Sequence, residues 1–278
     1  MNTCFYKWII EFSALFGHWG FHSLPLPHVI TDEGFEWYKQ EIEELKTEIE
    51  ENYKISNISN EKLMESIQIH NENRNLLRKI HDLRIKSDPK ITGSEALQIN
   101  MTNYSIPKEI ANEELKRILE RIIERNPIDI KSKKRILLVG SVVDNIEFTQ
   151  LIENSGAFIA SDFLCFGTRN FQDDVILQNG ESPLDNITRR LYYRISCPRM
   201  MDDHERRLAF IKKEIKRADI EGVILQRINN CDLHGCDNML FSHELKDLEI
   251  PVLNIDREFY MADTTRLQTR IEAFLEMI

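Results

Sequence analysis

The sequence has no glycine-rich phosphate loop. Val139-Gly140-Ser141 is the nearest approach, and it carries neither the dinucleotide nor the nucleoside-triphosphate pattern, so bound NAD or ATP is not expected. Neither Ser141 nor Ser161 has the flanking glycines of a nucleophile elbow. Basic residues are in the minority: the 278 residues carry 36 Lys and Arg against 46 Asp and Glu, a formal charge of -10. Nucleic acid is therefore not an expected partner, because phosphate binding needs clustered cations. No membrane span is expected either. The most apolar N-terminal stretch, residues 8–21, is interrupted by Glu11, Gly17 and His18 and lacks a signal-peptide layout, which points to a cytoplasmic protein. Cysteines number five, Cys4, Cys165, Cys197, Cys231 and Cys236, at irregular spacings. An odd, scattered set is no disulfide framework, so these are expected to be thiols or metal ligands.

What is present is an α/β pattern. Residues 33–52 read as a solvated helix with one apolar stripe, and the Asn and Ser cluster at residues 56–60 opens a second long helix in which Leu63, Ile67, Leu77, Ile80 and Leu83 recur at helical spacing. Residues 87–93 read as a loop, and a further helix follows Pro107. After the basic linker at 131–134 the pattern changes. Residues 135–141 form a short, continuous apolar run ending in small residues, as in a buried parallel strand, and residues 157–164, 221–228 and 250–255 give three more. Helical patterns at 145–154, 183–193, 204–218, 238–248 and 265–277 lie between or after them. The expected architecture is a Rossmann-like open parallel sheet at 131–278, preceded at 1–130 by a helical linker region and the remnant of a first α/β domain.

In such sheets ligands gather at the carboxyl ends of the strands. Those ends read Gly140-Ser141, then residues 162–169 with Cys165, then residues 229–237 with Cys231, His234 and Cys236. Soft thiols collected on one edge suit an iron-sulfur cluster or zinc. Cys165 and Cys197, taken singly, read more naturally as packed side chains. Cys231 sits among Asn, Asp, His and Gly just after a strand, where a ligand role is the better reading. The run Cys231-x-x-His234-x-Cys236 lacks the second ligand pair of a structural zinc site. His204 and His243, in helical patterns, receive no role.

Several segments together resemble the family of paired subunits of 2-hydroxyacyl-CoA dehydratases, benzoyl-CoA reductases and double-cubane-cluster proteins. They are residues 70–78, 93–97, 135–141, 162–169, 197–200, 231–235 and 267–274. The resemblance implies two stacked α/β domains and a [4Fe-4S]-type iron-sulfur cluster held by thiolates from both. Cys231 matches the second-domain ligand, and Cys4 resembles one of two first-domain ligands, although Phe5 follows it where the family often has Asp. The other first-domain cysteine would lie upstream of Met1. Ser141 and His234 are then candidates for contacting cluster or substrate. The implied reaction is radical dehydration of an (R)-2-hydroxyacyl-CoA to a 2-enoyl-CoA. It is started by one electron from an ATP-dependent iron-sulfur activator and carried out with a homologous second subunit or a second copy of this chain. Two alternatives remain: an ATP-dependent reductase of the benzoyl-CoA or double-cubane type, and a truncated, non-catalytic paralogue kept for subunit pairing.

Overall fold

A computed structural model describes residues 24–55, 57–260 and 264–278. The four apolar runs form one all-parallel sheet: β1 (Lys134–Gly140), β2 (Ala157–Phe163), β3 (Gly222–Ile228) and β4 (Val252–Arg257), in the order β2-β1-β3-β4. Nine α-helices lie among the described residues: α1 (Asp32–Asn52), α2 (Asn60–Ile85), α3 (Gly93–Ser105), α4 (Lys108–Glu124), α5 (Ile146–Asn154), α6 (Pro183–Tyr193), α7 (His204–Arg217), α8 (Asp232–Asp247) and α9 (Thr264–Met277). None of the described helices is long and apolar enough to cross a membrane.

The continuous apolar runs are explained by burial on both faces. Successive strand residues point to opposite sides. Ile136, Leu138, Ile159, Ile224 and Ile255 pack with Phe148 and Ile152 of α5 and Leu267 and Ile271 of α9. Leu137, Val139, Val223 and Leu225 pack instead with Phe210 and Ile211 of α7 and Phe241 and Leu245 of α8. Each layer removes several large side chains from water, at roughly 1.5–3 kcal/mol apiece. This is the sandwich expected of parallel strands joined by helical crossovers.

The chain divides into two compact units. One takes in the described part of Met1–Gln68 with Val175–Arg194 and Arg199–Asp202. Within it Phe35, Tyr38 and Ile42 of α1 pack on Tyr192 of α6, and Lys39 pairs with Asp185 at 2.6 Å. The other unit, Ile69–Asp174 with Ile195–Pro198 and Asp203–Ile278, holds the sheet.

Two helices differ from the sequence reading. The segment before Ser105, for which no helix was expected, is helical from Gly93, and Thr92 and Glu95 open it with a reciprocal capping box. Its polar Ser94, Asn100 and Asn103 are buried, and the Glu153 carboxylate accepts from the Gly93 and Ser94 N–H groups at 2.8 and 3.1 Å, closing the orphan donors of the first turn. The other is α8, which begins at Asp232 rather than near Asn238, so His234 and Cys236 belong to its first turns and not to a loop.

Candidate functional site

Each strand delivers its polar cluster at the carboxyl edge. After β1, Ser141 is 3% exposed, and its hydroxyl is engaged inside the edge: it donates to Gln226 Oε1 at 3.3 Å and accepts from the Ile228 N–H at 2.9 Å. Ser141 thereby ties β1 to β3, and Arg257 Nε reinforces the tie by donating to Gln226 Oε1 at 3.0 Å.

The loop after β2 is wound around one carboxylate. Asp162 Oδ1 accepts from the Thr168 N–H at 2.9 Å, and Asp162 Oδ2 accepts from Arg84 at 2.7 Å. Only glycine fits at 167, because a Cβ there would lie 1.7 Å from Asp162 Oδ1. This wrapping presents Cys165 and Arg169, both half-buried, beyond the strand end. Beneath it is a buried polar network. Arg84 donates to His81 Nδ1 at 3.1 Å, so the ring's proton sits on Nε2, which donates to Glu214 at 3.1 Å; the Ser161 hydroxyl donates to the same carboxylate at 2.5 Å. Burial opposes charge on both partners. It keeps His81 below its usual range, while His81, Ser161 and Arg217 overcome it at Glu214 and hold that carboxyl down to about 2.

Cys231 is the N-cap residue of α8, placed by Asn230 in a left-handed conformation (φ 63°). Its side chain makes no capping bond, leaving a half-buried thiol at the helix N-terminus. Cys165 lies within electrostatic reach of it. Burial pushes the Cys165 thiol up, Arg169 pulls it down, and charge on Cys197 or Cys231 raises it again. Cys165 and Cys197 read from the sequence as packing residues; the fold sets Cys165 within electrostatic reach of both Cys197 and Cys231. Cys236 is exposed on α8. Cys4 lies outside the described residues. Among the described residues, no three His, Cys, Asp or Glu side chains are grouped so as to hold a metal ion.

The Cys197 segment is held by Arg207, which is 2% exposed and donates to Asp237 Oδ2 at 3.0 Å, Asp237 Oδ1 at 2.8 Å and Ser196 Oγ at 3.2 Å. His204 bridges Asp237 and Glu244 at 2.9 and 2.8 Å. Burial works against its charge, but the two carboxylates raise it above the usual histidine range. His204 thus joins α7 to α8, a role its helical pattern did not disclose.

His234 is a contrasting histidine. It is 9% exposed, and burial followed by the charges of Arg169 and Arg207 holds it down to about 4, with Asp237 opposing. At neutral pH the imidazole is uncharged. Because its folded pKa lies below the unfolded value near 6.5, the unfolded chain takes up the proton first, and stability falls as the pH drops from 6.5 to 4. The full loss from this group is about 3 kcal/mol. Urea midpoints measured at pH 7 and pH 4 should show that fall, and His234→Asn should remove part of it.

Comparison with known proteins places this arrangement. Residues 4–278 match the family described as 2-hydroxyglutaryl-CoA dehydratase, D-component. The chain is 23% identical, over 87% of its length, to 62% of the (R)-phenyllactyl-CoA dehydratase beta subunit of Clostridium sporogenes. It is 21% identical, over 98% of its length, to 70% of the putative dehydratase subunit YjiM of Escherichia coli. It is 22% identical, over 80% of its length, to 58% of a benzoyl-CoA reductase subunit of Thauera aromatica. The chain therefore spans about three-fifths to seven-tenths of the length of these relatives. A match along nearly the whole chain, on a parallel sheet whose carboxyl edge gathers three cysteines, leads to one conclusion: the chain belongs to the 2-hydroxyglutaryl-CoA dehydratase D-component family.

Proposed function

We infer that this chain is the iron-sulfur subunit of a 2-hydroxyacyl-CoA dehydratase-type enzyme, converting an (R)-2-hydroxyacyl-CoA to a 2-enoyl-CoA. The observation that carries this reading is the position of Cys231, an uncapped thiol at the N-terminus of α8, on the carboxyl edge of a sheet in a chain of this family. The donor chemistry fits: soft thiols at a helix N-terminus suit an iron-sulfur cluster. Cys231 would be one ligand, and Cys4, outside the described residues, the second. When bound, the cluster supplies one-electron chemistry that amino-acid side chains lack.

The chain's own groups have three tasks. The N-cap position of α8 presents the Cys231 sulfur at the open end of the helix. The Asp162-wrapped loop presents Cys165, which feels both Cys197 and Cys231, and Arg207 holds the segment that carries Cys197. His234, uncharged at neutral pH, offers a hydrogen-bonding ring on the first turn of α8. A homologous second subunit or a second copy of this chain completes the enzyme, and an ATP-dependent iron-sulfur activator delivers the electron. Relatives named as dehydratase beta subunits support the need for a partner. The similar match to a benzoyl-CoA reductase subunit supports a second reading, an ATP-dependent reductase, which substrate assays with the reconstituted pair distinguish.

Anaerobic iron and acid-labile sulfide analysis, with electron paramagnetic resonance, tests the shared core of both readings. The chain reconstituted with its paired subunit should hold near-stoichiometric cluster, and Cys231→Ala should lose at least half of the iron. Iron at background in a folded preparation sinks the proposal.

A further inference from the structure

Arg169 forms no ion pair among the described residues. Its guanidinium donates to the Ser196 carbonyl at 3.3 Å, lies 5.5 Å from the centre of the Phe163 ring and reaches the Cys165 sulfur. Three neighbouring carboxylates are committed elsewhere. Asp162 is held by Arg84 and the Thr168 N–H, Asp237 by Arg207 and His204, and Asp203 by Arg206 and Ser196. Asp232, in the first turn of α8, is exposed to solvent, and its charge reaches Arg227, which Asp256 holds. A half-buried cation with no counter-charge is costly unless an anion visits it.

Two further features share this edge. The 16-residue helix α8 starts without a side-chain cap, so the N–H groups of its first turn keep their positive end open. On that turn stands His234, nine-tenths buried and without a hydrogen-bond partner among the described residues. A continuous set of contacts links these parts: Arg169 to Ser196, Ser196 to Arg207, and Arg207 to Asp237, one turn beyond His234.

We propose that Arg169, the His234 imidazole and the first-turn N–H groups of α8 form a subsite for a small oxyanion of carboxylate size, beside the Cys231 thiol. The guanidinium supplies the charge and a planar pair of donors, the helix end adds its dipole, and the neutral imidazole donates one hydrogen bond. In an acyl-group enzyme this subsite receives a carboxylate or an oxygen that gains negative charge; in the isolated chain it receives a free carboxylate. The subsite needs no cluster, so it stands or falls apart from the iron-sulfur reading.

The test is the alkylation rate of Cys231 in the full, metal-free chain at pH 7 and constant ionic strength, followed by peptide mass spectrometry. Iodoacetate carries a carboxylate and iodoacetamide does not. The ratio of their rates at Cys231 is expected to exceed that of N-acetylcysteine by about fivefold, the scale of one charge-assisted contact at a helix end. Arg169→Gln should return the ratio to the free-thiol value, Arg169→Lys should keep part of the preference, and added acetate should slow iodoacetate but not iodoacetamide. A ratio equal to that of the free thiol overturns the subsite. So does a ratio untouched by Arg169→Gln or Arg169→Lys, or a Cys231 inert to both reagents in chain shown by circular dichroism to be folded.

Discussion

Gly140→Ala is expected to cost more than about 4 kcal/mol, and to leave little folded chain, because it strikes the sheet where two backbones nearly touch. Gly140 ends β1 with φ at 133°, and a Cβ there would lie 1.8 Å from the Gln226 carbonyl oxygen of β3. That oxygen also accepts from the Ser141 N–H at 3.2 Å, so the strands cannot part without breaking the turn that leads to Ser141. Gly156→Ala is the internal control. Its φ is 105°, but its nearest neighbour, Leu275 Cδ1, would be 3.8 Å from the new Cβ, so it carries only the backbone strain, about 1–2 kcal/mol. Urea titrations of both variants separate the two effects. Equal losses would mean that the close approach of β1 to β3 is not limiting.

Arg207→Met is the second large effect, about 3–5 kcal/mol of destabilisation, since it strips a fully buried carboxylate of its main partner. Among the described residues Asp237 would keep the His204 hydrogen bond alone, and the segment carrying Cys197 would lose the Ser196 contact that anchors it. Arg207→Met combined with Asp237→Leu should recover most of the loss, because an apolar pair leaves no orphaned charge. The pH dependence has a definite sign. The folded pKa of His204 is raised, so its charged form supports Asp237 at low pH, and that support disappears as the pH rises through the folded value. The single variant should therefore lose more stability at pH 8 than at pH 6. A pH-independent deficit would remove His204 from this account.

The strands could be read directly because their chemistry is local. The run Ile136-Leu137-Leu138-Val139 is at most 1% exposed, and a run that must be buried on both faces is apolar at every position. Helices with polar buried faces could not be read this way. The segment Gly93–Ser105 hides Asn100 and Asn103, which break its apolar stripe; its capping box of Thr92 and Glu95 is local, and Glu153, 60 positions along the chain from Gly93, adds acceptors from outside. The early start of α8 was obscured by Gly235, which resembles a turn residue. Here it makes room for Arg227, whose Nη1 would lie 2.2 Å from a Cβ at that position. The site divides similarly. Cys231 stood out by its polar surroundings, whereas Arg169, Arg207 and His204 gave no signal, since an arginine or histidine in sequence does not reveal which carboxylates will be near it.

The sequence by itself determined the layer order, the parallel strands and the edge on which thiols collect, because hydrophobic periodicity and strand-end composition are properties of neighbouring residues. Tertiary structure alone decided the rest. It set Cys165 near both Cys197 and Cys231, closed the hydroxyl of Ser141 into the sheet edge, left Arg169 without a carboxylate among the described residues, and kept His234 neutral while His204 was drawn toward the charged form. Each of those outcomes depends on desolvation and on charges brought together across tens of residues of chain, and these interactions exist only once the sheet has assembled.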